Sequence, residues 1–434
     1  MRTRRFVLYA LLLVIFHRAA GQETAVARKT AVAPEATAAR EKTDPFLRDL
    51  LRAQASPALL HVLDHPDSFR YQLIYTRIDR DKDNRPHFHN YYFRLNSLEY
   101  YNPASTVKMP LAFLALEKMD SLARYGIDKN TPMFTDSAYS GQTMTYTDST
   151  AVGGLPSLAQ YIRRIFLISD NDAYNRLYEF LGQAPINRRL WQLGYPDIRI
   201  TRRFMPMTED ENRHTNPIRF EVDSHVLYRQ PPAASTLDFD FSHSVLIGKA
   251  YYDRHDSLVH APMDFTRHNN FPLEDAQQIM QSILFPQSVP AARRFHLNDG
   301  DYRFLYQYMS EYPVESASPH YDTTTFFNGY TKFFFFRAGH SPIPPYIRSF
   351  NKPGWSYGFA TDIAYIADFR NKVEFMLSGT IYVNRDGILN DDKYEYEEIA
   401  YPFFREIGNI VYQYELKRRR PYPPDLSRFI LSYD

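Results

Sequence analysis

Ser105 and Lys108 are the two residues whose types and spacing most directly suggest chemistry. They lie in the segment Ala-Ser-Thr-Val-Lys-Met, at the start of an apolar run that continues through residues 109–116. In a helix, positions i and i+3 share a face, so the lysine amine can reach the serine oxygen. A partly buried lysine that has lost its proton can deprotonate the serine and make it an acylatable nucleophile. Alone the pair says little, because a chain of this length holds about one or two such pairs by chance.

Two further triplets add to the significance of this pair. Ser-Asp-Asn occupies positions 169–171 between two apolar stretches, and Lys-Pro-Gly occupies positions 352–354. Taken singly, the first is better explained as a helix cap and the second as a surface turn. Their order along the chain, S-x-x-K, then S-D-N, then K-x-G, resembles that of class A β-lactamases and their penicillin-binding relatives.

The resemblance extends past the three motifs. Residues 171–194 resemble the family's helices after S-D-N, residues 357–364 resemble its final strand pair, and the similarity covers about residues 44–416 with one insertion. It implies a two-lobed α/β (α+β) fold, in which a five-stranded antiparallel sheet with flanking helices lies beside an all-helical lobe. Strand-like segments at both chain ends around a helical middle indicate independently that one sheet is built from the two ends.

Periodicity gives a coarse map of the elements. Apolar spacing typical of helices occurs near residues 44–52, 105–116, 158–181 (two helices), 272–284 and 394–416. Aromatic and β-branched runs predict strands near residues 71–79, 89–95, 326–336, 347–349, 363–367 and 373–383.

The resemblance assigns roles to the motif residues. Ser105 is implied as the nucleophile and Lys108 as its base. Ser169 would relay a proton to the departing nitrogen, and Lys352 would hold the substrate carboxylate and tune Ser169. These four are the predicted catalytic residues.

The same carry-over predicts three substrate-binding residues. Asn171 would contact the substrate amide and position the Lys108 amine. Gly354 and Trp355 follow the second lysine on a strand across the cleft. The backbone N–H groups of Ser105 and Trp355 would form the oxyanion hole, where losing one donor typically costs about 3 kcal/mol.

Two departures from the family pattern bear on turnover. Pro353 replaces the hydroxyl residue of K-T/S-G, so carboxylate binding must depend on Lys352 and Ser356. Aligned on Arg203 and the following proline, Met205 falls where the family has its deacylating glutamate, and a methionine cannot take a proton. Glu209 and Glu211 follow closely, and solvated loop carboxylates are the commoner explanation for both.

The N-terminus has the pattern of an export signal. Three arginines precede an apolar run at residues 6–16, which is too short to span a bilayer and is followed by small residues. We expect a signal peptide over residues 1–21 and a disordered linker over 22–43; an uncleaved anchor is the alternative. A hydrolase domain would occupy 44–434, with a helical lobe over about 105–325 and an insertion over about 218–270. The predicted location is periplasmic or secreted.

Composition excludes several classes of site and partner. The chain has no cysteine, which rules out disulfides and thiolate chemistry, and a net charge of +1 gives no support for nucleic-acid binding. His87 with His89, and the segment 253–256, lack the ligand spacing of known metal sites, so neither a metal nor an organic cofactor is expected. No later segment is apolar enough to span a membrane, and we expect a monomer.

These observations predict an exported class A β-lactamase-like serine hydrolase. Ser105 would be acylated by β-lactams or related amides, and the missing glutamate predicts slow deacylation. Two alternatives stay open: a D-alanyl-D-alanine carboxypeptidase-type peptidase, and a non-catalytic module that binds cell-wall peptides on the same fold. An ester-cleaving hydrolase is a third option.

Overall fold

A computed structural model describes residues 41–340 and 342–433. The predicted signal peptide and residues 22–40 of the predicted linker lie outside the described residues. The end of that linker is described, and Lys42 forms a two-way backbone bridge with Leu95.

The bounds of the regular elements are as follows. The α-helices are α1 (Pro45–Gln54), α2 (Pro57–Asp64), α3 (Pro66–Phe69), α4 (Lys108–Leu122), α5 (Leu158–Leu167), α6 (Asn171–Leu181), α7 (Gln183–Gln192), α8 (Glu209–Arg213), α9 (Leu273–Leu284), α10 (Asp299–Ser310) and α11 (Tyr401–Lys417). The strands are β1 (Gln72–Arg80), β2 (Pro86–Phe93), β3 (Met133–Thr135), β4 (His214–Thr215), β5 (Ile218–Val222), β6 (His225–Gln230), β7 (Ala233–Ala234), β8 (Leu246–Ile247), β9 (Ala250–Tyr252), β10 (Leu258–Val259), β11 (Met263–Asp264), β12 (Ile347–Ser356), β13 (Phe359–Asp368), β14 (Val373–Tyr382) and β15 (Ile388–Leu389).

The main sheet is built from both ends of the described chain, as predicted. Its five strands pair antiparallel in the order β12-β13-β14-β1-β2, so β12 and β2 are the edges. Every residue of β13 and β14 is buried, which fits central strands covered on both faces. One face packs against the helical lobe and α9, and the other packs against α1 and α11. The predicted two-lobed fold is confirmed.

The helical lobe positions two of the three motifs. Helix α4 is buried almost all round and forms the centre of this lobe against α5 and α6. Helices α5 and α6 flank the Ser-Asp-Asn triplet, as predicted. The lobe also carries short strands: β3, β5 and β6 form a small sheet, and β9 pairs with both β10 and β15. None of the helices in the described chain has the length and apolar character needed to cross a membrane.

The strand predicted over residues 326–336 is wrong. Residues 333–337 instead form a wide, irregular turn, in which Phe335 takes a left-handed φ of 74°. All four phenylalanines of this turn are buried, and the ring of Phe334 packs edge-on against Phe404 of α11. Aromatic residues favour strands because they need a half-buried surface. Here the packing under α11 satisfies that need without strand pairing.

Candidate active site

The nucleophile candidate lies on a tight turn that leads directly into α4. A 3₁₀ turn over Ala104–Val107 precedes the helix, and the Lys108 N–H donates to the Ser105 carbonyl. Ala104 has a φ of 43°, an uncommon conformation for a residue with a side chain. The serine and the lysine are therefore one turn apart, as the sequence predicted.

The Lys108 amine is directed at the Ser-Asp-Asn triplet. The amine donates hydrogen bonds to Asn171 Oδ1, at 2.6 Å, and to Ser169 Oγ, at 3.4 Å. It also donates a hydrogen bond to the Ser169 carbonyl. Within residues 41–340 and 342–433, no hydrogen bond joins this amine to the Ser105 hydroxyl. The predicted contact between Lys108 and Asn171 is therefore present, whereas the direct link to Ser105 is not formed in this state.

The Ser-Asp-Asn triplet is both a helix cap and a contact surface. Asp170 is the N-cap of α6, where its side chain accepts from the Ala173 N–H at 2.8 Å and pairs with Arg164. This leaves Ser169 and Asn171, on either side of the cap, to meet the lysine. Ser169 has a left-handed φ of 59°, an uncommon conformation for a serine.

Lys352 reaches the same hydroxyl from the opposite lobe. It lies on edge strand β12, and its amine donates 2.9 Å to Ser169 Oγ and 2.8 Å to the Pro353 carbonyl. Two amines from different lobes thus meet at one serine oxygen. Both lysine side chains are fully buried.

Burial sets the protonation of these amines. It lowers the pKa of Lys108 to about 7, against a smaller opposing effect of Asp170. Burial and the neighbouring Lys108 charge hold the pKa of Lys352 well below its usual value. The two amines repel one another when both are charged, so the pair favours a state in which one has lost its proton.

Gly354 allows β12 to approach the nucleophile turn. A Cβ at this position would lie 2.7 Å from the Pro103 carbonyl and from the Ser105 amide nitrogen, closer than atoms can pack. Only glycine therefore permits this contact. Pro353 is tolerated beside it because β12 is an edge strand, where a missing N–H need not break a ladder.

The side chain of Trp355 belongs to an aromatic cluster rather than to the lysine cluster. Its indole packs 5.5 Å from the ring of Phe333 and 5.8 Å from that of Tyr330, in the aromatic cluster near α11. The role of its N–H in an oxyanion hole stays a prediction. The structure thus groups Lys108, Ser169, Asn171 and Lys352 by hydrogen bonds and places Gly354 against the turn of Ser105.

The segment that follows α7, residues 193–217, is called the loop after α7. It is held by a buried ion pair that sequence reasoning missed. Arg203 and Glu179 pair with both side chains fully buried. Glu179 also accepts 2.9 Å from Ser140 and 2.5 Å from the Asn216 N–H, while Arg203 donates 2.7 Å to the His214 carbonyl. These contacts hold the start and the end of the loop against helix α6.

A phenylalanine from this loop covers the first lysine. The Lys108 amine lies 5.1 Å from the centre of the Phe204 ring, within cation–π range. The Phe204 N–H donates 2.8 Å to Asn175 Oδ1, which fixes the loop to α6. Met205 is the next residue along the loop.

The loop carboxylates are occupied elsewhere. Glu209 is 60% exposed and pairs at 2.8 Å with Arg267. Glu211 forms a capping box with Thr208, whose N–H and hydroxyl lower the pKa of this carboxyl. Neither contact directs a carboxylate to the lysine cluster.

A third buried lysine lies behind β12. Lys332 donates 2.8 Å to Asn351 Oδ1, and the Asn351 amide donates 2.8 Å to Asp362. Burial lowers the pKa of Lys332 to about 7 and raises the pKa of Asp362 to about 6. The chain gives no spacing signal for this cluster, because Lys332 is distant in sequence from both partners.

The matched family covers the first two motifs. Residues 86–225 match the profile of the "Beta-lactamase enzyme family". This stretch contains Ser105, Lys108 and the Ser-Asp-Asn triplet, and it ends before the Lys352 strand. No curated protein matches the chain.

Three solved β-lactamase structures align with most of the chain at low sequence identity. A β-lactamase from Burkholderia vietnamiensis is 14% identical with a TM-score of 0.44, covering 86% of this chain and 96% of its own. One from Burkholderia phymatum is 14% identical with a TM-score of 0.46, covering 84% and 99%. An ancestral class A β-lactamase is 16% identical with a TM-score of 0.44, covering 82% and 98%.

Proposed function

We propose that this chain, of which residues 86–225 match the β-lactamase enzyme family, is a serine hydrolase acylated at Ser105 by β-lactams or related amides. One observation carries the proposal. Two buried lysine amines from different lobes meet at the Ser169 hydroxyl, beside the turn that holds Ser105. The family match alone supports hydrolase activity in general, and this cluster supports the serine mechanism.

In the proposed reaction, neutral Lys108 removes the proton of Ser105. The serine oxygen then attacks the amide carbonyl, forming the acyl bond as the carbon–nitrogen bond breaks. The proton returns to the leaving nitrogen through Ser169, the hydroxyl that both amines contact. Neutral Lys108 no longer repels a proton on Lys352, so Lys352 becomes charged as the substrate carboxylate binds beside it. The proposal includes no metal or organic cofactor.

Deacylation is proposed to be slow. Activating water against the acyl-enzyme requires a group that can take a proton. The loop offers Phe204 and Met205 near Lys108, and its two glutamates are bound to other partners. We therefore expect a long-lived penicilloyl adduct.

A fluorescent penicillin tests the proposal. The purified protein should become covalently labelled, with a mass increase equal to that of the penicillin, and Ser105→Ala should abolish labelling. Labelling that persists in Ser105→Ala would contradict the assigned nucleophile. No labelling of the intact protein would favour the alternative, a binding module for cell-wall peptides.

Export belongs to the same proposal. The basic and apolar pattern of the first 21 residues supports it. The mature protein should then begin near Gln22, which intact-mass measurement of secreted material can check. A mature chain that retains Met1 would contradict the cleavage.

A further inference from the structure

The insertion and the loop after α7 enclose a second cavity, of about 250 Å³. The loop supplies one wall through Thr201, Arg202 and Arg213. The insertion supplies the other through Phe239, Phe241, Asp264, Arg267 and His268. The proposed catalytic cluster consists of Lys108, Ser169, Asn171 and Lys352. None of these residues lines the cavity, so the cavity is a separate feature of the described chain.

Positive charge predominates in the cavity. Three arginines line it, against the carboxylates of Glu209 and Asp264. Glu209 is already paired with Arg267 at 2.8 Å, and Asp264 accepts 2.8 Å from the Thr266 N–H. Arg213 also lies 4.0 Å from the carboxylate of Asp238, and Asp264 keeps its negative charge. Arg202 is therefore the cavity arginine without an ion pair in the described chain.

Arg202 is the arginine best placed to bind an anion. Its guanidinium donates 2.7 Å to His268 Nε2, and no ion pair in the described chain includes it. Burial and the neighbouring Arg202 lower the pKa of His268 to about 3, so this partner is neutral. The guanidinium charge consequently has a hydrogen-bond acceptor but no counter-charge beside it.

A buried acceptor in the same cavity has no partner. Gln183 is 4% exposed, its amide nitrogen donates 2.9 Å to the Thr201 carbonyl, and its Oε1 atom is buried without a hydrogen bond. Leaving such an oxygen unpaired is unfavourable, and buried acceptors in native proteins normally have a donor. This oxygen has almost no accessible surface, so a ligand N–H reaches it only when the Gln183 side chain turns towards the cavity.

The insertion adds an apolar surface to these polar groups. The half-buried rings of Phe239 and Phe241 lie 5.8 Å apart, and the Arg267 guanidinium is 4.9 Å from the centre of Phe241. Small-molecule sites typically combine an apolar, often aromatic wall with a small number of polar groups. The cavity is smaller than the about 300–1,000 Å³ of drug-sized pockets, so its ligand must be small.

We propose that this cavity binds a small carboxylate that also carries an N–H donor and an apolar group, as an N-acylated amino acid does. The carboxylate pairs with Arg202, and the apolar group lies on the two phenylalanines. The N–H donates to Gln183 Oε1 after that side chain turns towards the cavity. The insertion thereby acts as part of a ligand site. This assignment does not depend on acylation at Ser105.

Hippurate (N-benzoylglycine) is a suitable probe because it carries all three groups. Titration calorimetry on the intact Ser105→Ala protein should show saturable binding with a dissociation constant of about 1 mM or tighter. Hippuramide, which lacks the charge, should bind about tenfold or more weakly. Absence of hippurate binding, or equal binding of the amide, would overturn the proposal.

Matched variants locate the site. Arg202→Met should weaken hippurate binding about tenfold or more. Arg267→Gln changes a side chain that is 56% exposed, so it keeps the fold intact and should also weaken binding.

Arg254 is an exposed arginine of the same insertion that lies outside the cavity, so Arg254→Met should leave binding unchanged. Equal weakening by Arg254→Met would mean non-specific charge attraction and would overturn the site.

Competition distinguishes two sources of such a ligand. If the cavity receives part of a substrate held at the catalytic cluster, a penicillin bound to Ser105 of the wild-type protein will block hippurate. If the ligand is an independent molecule, hippurate will bind the acylated protein with unchanged affinity. Both results support the cavity as a carboxylate site. The first would mean that it binds part of the substrate, and the second that it binds an independent molecule.

Discussion

The catalytic cluster and the loop after α7 both use charged side chains, but they use them in opposite ways. In the cluster, Lys108 and Lys352 face one hydroxyl with no carboxylate bonded to either amine among the described residues. Every carboxylate discussed above that contacts the loop has a partner: Glu179 of α6 pairs with Arg203, Glu209 pairs with Arg267, and the Glu211 carboxylate accepts from the Thr208 N–H and hydroxyl. Unpaired groups are available for chemistry, whereas paired groups hold structure. Under the proposed serine mechanism, this difference predicts a protein that forms an acyl bond more readily than it hydrolyses one.

The largest expected effect comes from breaking the loop's buried ion pair. Glu179→Gln keeps the side-chain shape but leaves the Arg203 charge buried without a counter-charge. Removing one partner of such a pair typically costs about 3–5 kcal/mol in the free energy of unfolding. Urea denaturation should show this loss.

The exposed pair of the same loop is the matched control. Glu209→Gln removes a surface ion pair with Arg267, which should change the free energy of unfolding by about 1 kcal/mol or less. Similar losses in the two variants would mean that the Arg203–Glu179 pair does not hold the loop.

The second prediction supplies the loop with a free carboxylate. Met205→Glu adds a proton acceptor next to Phe204, whose ring faces the Lys108 amine. General-base catalysis of this kind contributes about 10²–10⁴-fold, so the penicilloyl adduct should decay at least about tenfold faster. Timed intact-mass measurements follow the decay. Met205→Gln, of similar size but unable to take a proton, should decay as the wild type; equal acceleration would point to altered packing.

The smallest expected effect concerns pH. Burial lowers the pKa of Lys108 to about 7, and the neutral amine is the proposed base. The acylation rate should therefore rise by up to about tenfold per unit as pH increases towards 7, and then level off. Rapid-quench labelling with penicillin at several pH values measures it. A rate that falls between about pH 6 and 7.5 would mean that the charged amine is the active form.

Local rules were enough to predict much of the site. Ser105 and Lys108 are three positions apart on one helical turn, and Ser169 and Asn171 flank a helix cap, so short-range geometry predicts each pair by itself. The contact between the two pairs was predicted only from the resemblance to a family pattern. Lys352 was predicted only because its motif resembles a family pattern. Its contact with Ser169 depends on the two lobes packing together, which no spacing along the chain specifies.

The contacts that were missed are tertiary. Glu179 lies on α6 and Arg203 on the loop after α7. Arg203 was used only to align the loop with the family pattern, and no spacing signal linked it to Glu179. The strand predicted at 326–336 failed for a related reason: β-propensity measures the need for a half-buried surface, and α11 provides one to Phe333 and its neighbours. Propensity alone does not distinguish strand pairing from packing beneath a helix.

The parallel pairing of β15 with β9 has a consequence for the insertion as a whole. Ile388 and Leu389 follow the last strand of the main sheet, yet their backbone partners are Ala250 and Tyr251 of the insertion. Removing the predicted insertion (about residues 218–270) would therefore leave the two residues of β15 without their backbone partners, and an unpaired strand edge can pair with another molecule. A variant that lacks the predicted insertion should consequently aggregate more readily, because β9 of the insertion pairs with the edge of β15.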